Sequence, residues 1–226
     1  MKTNKFIPLI YRIISFIVLL IGVILSIRDA LSYVGHTVYL YYTILSNFLV
    51  LSMFIVLIIK NIIDIKKNGI KGSVSYAPTF VLICMIDIMI TFLAYWLSIV
   101  SAKDQSVIKY IFKFPNLSVH GLSFVLVFID YILFAKPHHI EKKYHPYLSL
   151  IFPFSYFAIC YIIAAFGMTF PQVDGSISSY PYAFMDFNKY GYIPFVIILS
   201  VLAIAALASF LFQLLDKKRN KFGKID

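Results

Sequence analysis

Six long apolar runs, separated by short stretches that carry most of the charge, constrain this chain more than any other feature. They are Phe6–Ile27, Tyr39–Ile59, Tyr76–Val100, Leu117–Phe134, Tyr147–Met168 and Gly191–Leu215. A helix needs about 20 mainly apolar residues to cross a hydrocarbon core. Each run is near that length, the fourth being the shortest. Within each run the apolar residues are continuous, not alternating. A spanning segment must also satisfy its own backbone polar groups, so helices are expected rather than barrel strands. Composition agrees, with 61% hydrophobic and 13% charged residues, too few polar groups to cover a water-exposed surface. The expected fold is an all-α membrane protein: one six-helix transmembrane bundle over residues 1–226, with no second domain.

Lys2 and Lys5 precede the first run in the manner of a signal peptide. The run is longer than a signal core, however, and Arg28 follows it without a small-residue cleavage pattern, so it is read as the first span. Direction follows from Lys and Arg. Fourteen of the 20 fall on the side of the termini, whereas Arg28, Lys103, Lys109, Lys113 and Lys189 fall on the other. The richer side is expected to be cytoplasmic, which places both termini inside. Arg12, within the first span, is expected to snorkel to that surface. The net charge of +10 lies between apolar runs and is not interleaved with aromatics. That pattern fits anionic lipid headgroups at the cytoplasmic face and speaks against nucleic acid as a partner. Abundant Lys and Ile point to an AT-rich bacterial genome, hence a bacterial plasma membrane. Cys84 and Cys160 each lie inside an apolar run and are read as small core hydrophobes.

Polar residues inside spans are costly and therefore informative. Thr43, Ser46 and Asn47 cluster in the second span, Asp87 lies in the third, and His120 and Asp130 lie in the fourth. With the expected directions, Thr43 enters roughly 6 Å and His120 roughly 5 Å from the same face, at 1.5 Å per residue. A hydroxyl and an imidazole from distant helices thus share one level. An imidazole that takes the threonine proton and later returns it to a departing alcohol supports attack on an ester carbonyl. Asn47 or Ser46 would supply donors to the oxyanion. Each residue also has a plainer reading: membrane Thr and Ser usually bond backbone or a neighbouring helix, and Asp87 or Asp130 would pair with a Tyr or Ser, bind a cation or carry protons. The segment His138–His145 looks superficially like a metal cluster. Its Lys142 and Lys143 disfavour a cation, and no metal or other cofactor is expected. The aromatic loop Thr169–Tyr190 is expected to fold back over the bundle.

Three segments carry a resemblance. Tyr41-Tyr42-Thr43-Ile44-Leu45-Ser46-Asn47-Phe48 resembles an aromatic-Thr-x-x-Ser-Asn motif. His120, followed by Asp130-Tyr131-Ile132-Leu133-Phe134, resembles a His…Asp-Trp-Leu-Leu-Phe segment. Tyr180-Pro181-Tyr182-Ala183-Phe184-Met185-Asp186 resembles a Tyr-Pro-Tyr-x-Phe-x-Asp loop. Together they resemble a family of six-pass bacterial membrane proteins similar to the androgen-induced and androgen-dependent membrane hydrolases of animals, which cleave fatty-acid esters of hydroxy fatty acids. Phe124 stands where that family often has proline, and Tyr131 replaces its tryptophan. The resemblance implies a lipid ester hydrolase with Thr43 as nucleophile and His120 as base. Asn47, Ser46, Asp186, Asp130 and Tyr182 would support them, Asp186 as the choice for a third partner, and membrane lipids would be the substrates. A related branch transfers acyl groups between lipids with a cysteine, at the position of Thr43. Two further classes stay open: a small-molecule binding or transport subunit, disfavoured because the first span lacks a small-x-x-x-small face, and a non-catalytic six-span protein.

Overall fold

The computed structural model describes residues 3–100, 112–135, 144–172 and 175–222. Six helices dominate it: α1 (Phe6–Val34), α2 (Tyr42–Asn68), α3 (Pro78–Val100), α4 (Phe114–Phe134), α5 (Pro146–Ala165) and α6 (Ile193–Phe222). All six are long and apolar enough to cross a membrane.

The six runs each became a helix, but their ends moved. The first helix extends to Val34, where Gly35 takes φ 57°, a left-handed value that glycine adopts without a Cβ penalty. Gly35–Leu40 then winds as a 3-10 turn and Tyr41 is extended (φ −76°, ψ 137°). The second helix therefore starts at Tyr42 and not at Tyr39, and Thr43 sits in its first turn. The fourth helix starts earlier than its apolar run. Pro115 occupies its first turn, where a missing N–H costs nothing. The sixth continues past the apolar run through Lys217 and Lys218, which are good helix formers.

The first helix shows what solvent this fold is built for. Ile7, Ile10, Ile14, Ile17, Ile21 and Ile24 form an exposed ridge at alternating spacings of three and four. The opposite face buries Arg12, Ser15, Leu19 and Gly22. In water the isoleucines would turn inward. In lipid the alkyl face already has a matching solvent, and the interior goes to small and polar groups that let helices meet. Such a fold defines a multi-pass membrane protein.

Helix α1 packs on α2 and α4, α2 on α3, α3 on α4 and α6, and α5 on α6. The shared core includes Leu19, Val50, Phe54, Leu57, Met85, Ile88 and Val127. At one end Thr3–Asn4 pairs antiparallel with Lys71–Gly72. There the Lys5 ammonium meets the Asp64 carboxylate at 2.7 Å, and the Asn61 amide donates to the Lys5 carbonyl at 2.9 Å. At the other end the α5–α6 connection forms a second antiparallel pair, Phe170–Pro171 with Ile177–Ser178. This loop does fold back, burying Met185 in the core.

Arg12 departs from the snorkelling expectation. It is 1% exposed. Its Nε and Nη2 donate to the Asp130 carboxylate at 2.7 and 3.2 Å, and Nη2 donates to the Val74 carbonyl at 3.1 Å. The guanidinium also lies over the Tyr76 and Phe134 rings. A carboxylate within reach offsets its desolvation, so it has no need to climb to the surface.

Candidate active site

The end of the bundle that carries the α1–α2 and α5–α6 connections contains two cavities, of about 450 and 490 Å³. Thr43, His120, Tyr182 and Phe184 line both and so form the wall between them. Residues brought from α2, α4 and the α5–α6 loop thus converge on one place.

Thr43 owes its surroundings to the start of α2. The first N–H groups of a helix have no intrahelical partner. Those of Ile44 and Leu45 reach back to the Tyr41 carbonyl at 3.0 and 3.1 Å. Those of Tyr42 and Thr43 are directed to the Tyr182 phenol oxygen, which also hydrogen-bonds with the Thr43 hydroxyl. The Tyr182 ring is fixed by an edge-on contact with Tyr41 (centroids 5.4 Å apart) and by stacking on Phe184. Burial pushes its phenol up to about 12, against the lowering effect of those hydrogen bonds. Tyr182 is therefore neutral across the ordinary pH range and keeps its O–H.

His120 lies in a single π turn, Ser118–Leu122, inside α4. Such bulges widen a helix locally and recur at functional sites. The imidazole stacks flat on Tyr95, with centroids 3.8 Å apart and planes 1° from parallel. It donates a hydrogen bond to the backbone carbonyl of Thr91, while Nδ1 is buried without a partner. Nε2 is then the donor, which fixes the tautomer and leaves a lone pair on Nδ1. The Thr43 hydroxyl does not bond Nδ1 in this conformation.

Ser46 and Asn47 hold this arrangement together. The Asn47 amide donates to the carbonyl of Thr43 at 2.8 Å and to that of Val119 at 2.9 Å. It ties the turn bearing the hydroxyl to the turn bearing the imidazole, and both its hydrogens are spent. The Ser46 hydroxyl bonds the Thr43 carbonyl at 3.1 Å and the Thr91 hydroxyl at 2.9 Å. It thus links Thr43 to the residue whose carbonyl orients His120. Close approach on the far side comes from Gly22 of α1. A Cβ built there would fall 2.3 Å from the Ser118 Cβ.

The other residues singled out above lie elsewhere. Asp186 caps the short helix Phe187–Tyr190, accepting from the N–H groups of Asn188 and Lys189 at 2.9 and 3.3 Å, and lines neither cavity. Asp130 is engaged by Arg12. Asp87 accepts from the Tyr42 hydroxyl at 3.2 Å. Cys84 and Cys160 are buried free thiols. His138, His139, Glu141, Lys142 and Lys143 lie outside the described residues. Among the described residues no three His, Cys, Asp or Glu side chains gather as a metal site.

Two features of the site escape sequence reasoning. One is the pair of N–H groups at Tyr42 and Thr43, which the helix leaves without an intrahelical partner and which face Tyr182. The other is the Thr91 carbonyl behind His120. Both are backbone groups, and no residue type marks them. Compared with protein-family models, curated proteins and solved structures, the chain matches none.

Proposed function

We propose that this protein is an integral membrane lipid ester hydrolase in which Thr43 is the nucleophile and His120 the base. The observation that carries the reading is the shared cavity wall. A hydroxyl and an imidazole 77 residues apart in sequence both line it, and the imidazole has one nitrogen held by a backbone carbonyl and the other free.

The chemistry follows from those positions. Thr43 Oγ1 attacks the acyl carbonyl carbon, and His120 Nδ1 takes the hydroxyl proton. The Thr91 carbonyl, bonded to Nε2–H, orients the ring and stabilises the imidazolium, as the third member of a triad does. The carbonyl oxygen becomes an oxyanion. In this reading the N–H groups of Tyr42 and Thr43, together with the positive end of the α2 dipole, receive it in the position that the Tyr182 oxygen now holds. His120 returns the proton to the departing alkoxide, leaving an acyl-threonine and a free alcohol. A water molecule, deprotonated by the same nitrogen, then releases the acid and restores Thr43. Apo sites often tighten their catalytic hydrogen bonds only when substrate is bound, which accommodates a His120 Nδ1 that Thr43 does not yet bond.

The Lys and Arg asymmetry supports cytoplasmic termini. The site then opens at the outer leaflet of a bacterial plasma membrane, and the basic loops face anionic headgroups inside. The test is a variant series on the purified protein. Thr43→Ala is expected to abolish acyl-ester turnover and fluorophosphonate labelling. His120→Ala should lower both by about 10²–10⁴-fold. Tyr182→Phe keeps the ring and removes the hydroxyl; its effect on turnover separates a donor from a plug. Unchanged turnover and labelling in Thr43→Ala and His120→Ala would sink the proposal.

A further inference from the structure

We propose, resting on the hydrolase reading, that the two cavities divide the substrate between them: the inner one holds the acyl chain and the outer one receives a neutral polar alcohol, such as a polyol, in preference to a leaving group bearing carboxylate or phosphate.

The walls differ in chemistry. Away from the shared partition, the inner cavity is bounded by Ile90, Ala94, Phe157 and Val201 from α3, α5 and α6. It lies among the helices, and an alkyl chain is the occupant its surface matches. The outer cavity has an apolar wall that includes Val34, Val38 and Ile44, and to it are added Ser26, Asp29, Asn116 and Gln172, from the last turns of α1, the first turn of α4 and the α5–α6 loop. It lies at the end of the bundle, where a headgroup at the membrane boundary would sit.

Charge selects among headgroups. Asp29 contributes a carboxylate to the outer wall, and among the described residues no Lys or Arg side chain lines it. Arg28 bonds Asp29 at 3.0 Å, but its side chain is 70% exposed and stands outside the cavity. Recognition of a phosphate or carboxylate relies on charge-assisted donors from Arg or Lys, and the described part of the wall offers a carboxylate instead. A purely alkyl leaving group fares poorly for a different reason: it would cover Asp29 and Ser26 without offering them a hydrogen-bonding partner. Hydroxyl groups, which both donate and accept, suit the set.

The experiment compares two single-chain esters with the same acyl group in one detergent: a monoacylglycerol and its phosphorylated counterpart, lysophosphatidate. The expected result is a Thr43-dependent kcat/KM about tenfold or more in favour of the neutral ester, with Asp29→Lys erasing most of that preference. Asp29 is at the surface, so the exchange leaves the core alone. Along an acyl series, kcat/KM should rise about threefold to fourfold per methylene and then level off. Ala94→Phe, or Val201→Phe from the opposite wall, should move the plateau to shorter chains. Equal or better turnover of the phosphorylated ester, insensitive to Asp29→Lys, overturns the inference while leaving the hydrolase reading intact. Absence of Thr43-dependent turnover of any ester overturns the hydrolase reading instead. In that case equilibrium binding of the same two lipids to the wild-type protein still reads the outer cavity, and equal affinity for both refutes its preference for neutral groups.

Discussion

Gly22→Ala probes whether the seat of His120 depends on the approach of α1. The new Cβ would lie 2.3 Å from Ser118 Cβ and 2.6 Å from Ser118 Oγ, whereas carbon atoms in good contact sit about 3.5–4.0 Å apart. Something must move by more than about 1 Å. Alanine is intrinsically the better helix former by about 1 kcal/mol, and overpacking costs about 1–3 kcal/mol. The net change in stability is therefore expected to be small, at most about 2 kcal/mol destabilising. Activity should fall much further. Ser118 is two residues before His120 in the same π turn, and a misplacement of about 1 Å near a catalytic group can cost about 10²-fold. The discriminating partner is Ser118→Gly. With its Cβ and Oγ gone, the nearest Ser118 atom to the new methyl is the Cα, at 3.7 Å. The double variant should recover most of the turnover lost in Gly22→Ala. The assay is ester hydrolysis alongside thermal unfolding in detergent, analysed as a double-mutant cycle. A Gly22→Ala protein with wild-type turnover, or a double variant no better than the single, would refute the argument.

The Arg12–Asp130 pair should behave as a buried ion pair. Asp130→Asn or Arg12→Met alone is expected to cost about 3–5 kcal/mol, and the combination Arg12→Met with Asp130→Leu to recover most of it, since the isolated charge is the costly species; single-variant losses below about 1 kcal/mol in detergent unfolding would contradict this. For orientation, Lys217→Cys should react with a membrane-impermeant maleimide only after permeabilisation, and His36→Cys should react in intact cells. The native thiols are buried and give little background. The reverse labelling pattern would invert the proposed topology and move the site to the inner leaflet.

The helices were legible because lipid imposes a length and an apolar surface on every spanning segment, and a run such as Tyr76–Val100 needs no partner to be recognised. That Thr43 and His120 lie at one end of the bundle was legible for a related reason: each stands a few residues inside a run that starts from the same face. What joins them was not. Asn47 was expected to offer its amide to an oxyanion, yet a carboxamide serves equally well as a bracket between two carbonyls, and only the position of Val119 shows which role it fills. Asp186 presents the same ambiguity, since one carboxylate can orient an imidazole or cap a helix, and here it caps. The π turn under His120 has no compositional mark. Arg12 was assigned to the surface because its partner is 118 positions away, beyond the reach of any local pattern.

That separation also sets a schedule for making the protein. At about 5–20 residues per second, Arg12 is synthesised roughly 6–24 s before Asp130. For that interval the first helix must hold a bare guanidinium. Its long side chain can keep the charge at the interface while the helix floats shallow or tilted. Final seating of α1 therefore waits for α4 to arrive with the counter-charge, the Val74 carbonyl already being in place on the earlier loop. The nascent chain thus carries an internal checkpoint: a ribosome that stalls before the fourth helix leaves behind a first helix whose depth in the bilayer is unsettled, and whose arginine is open to whatever inspects half-built membrane proteins.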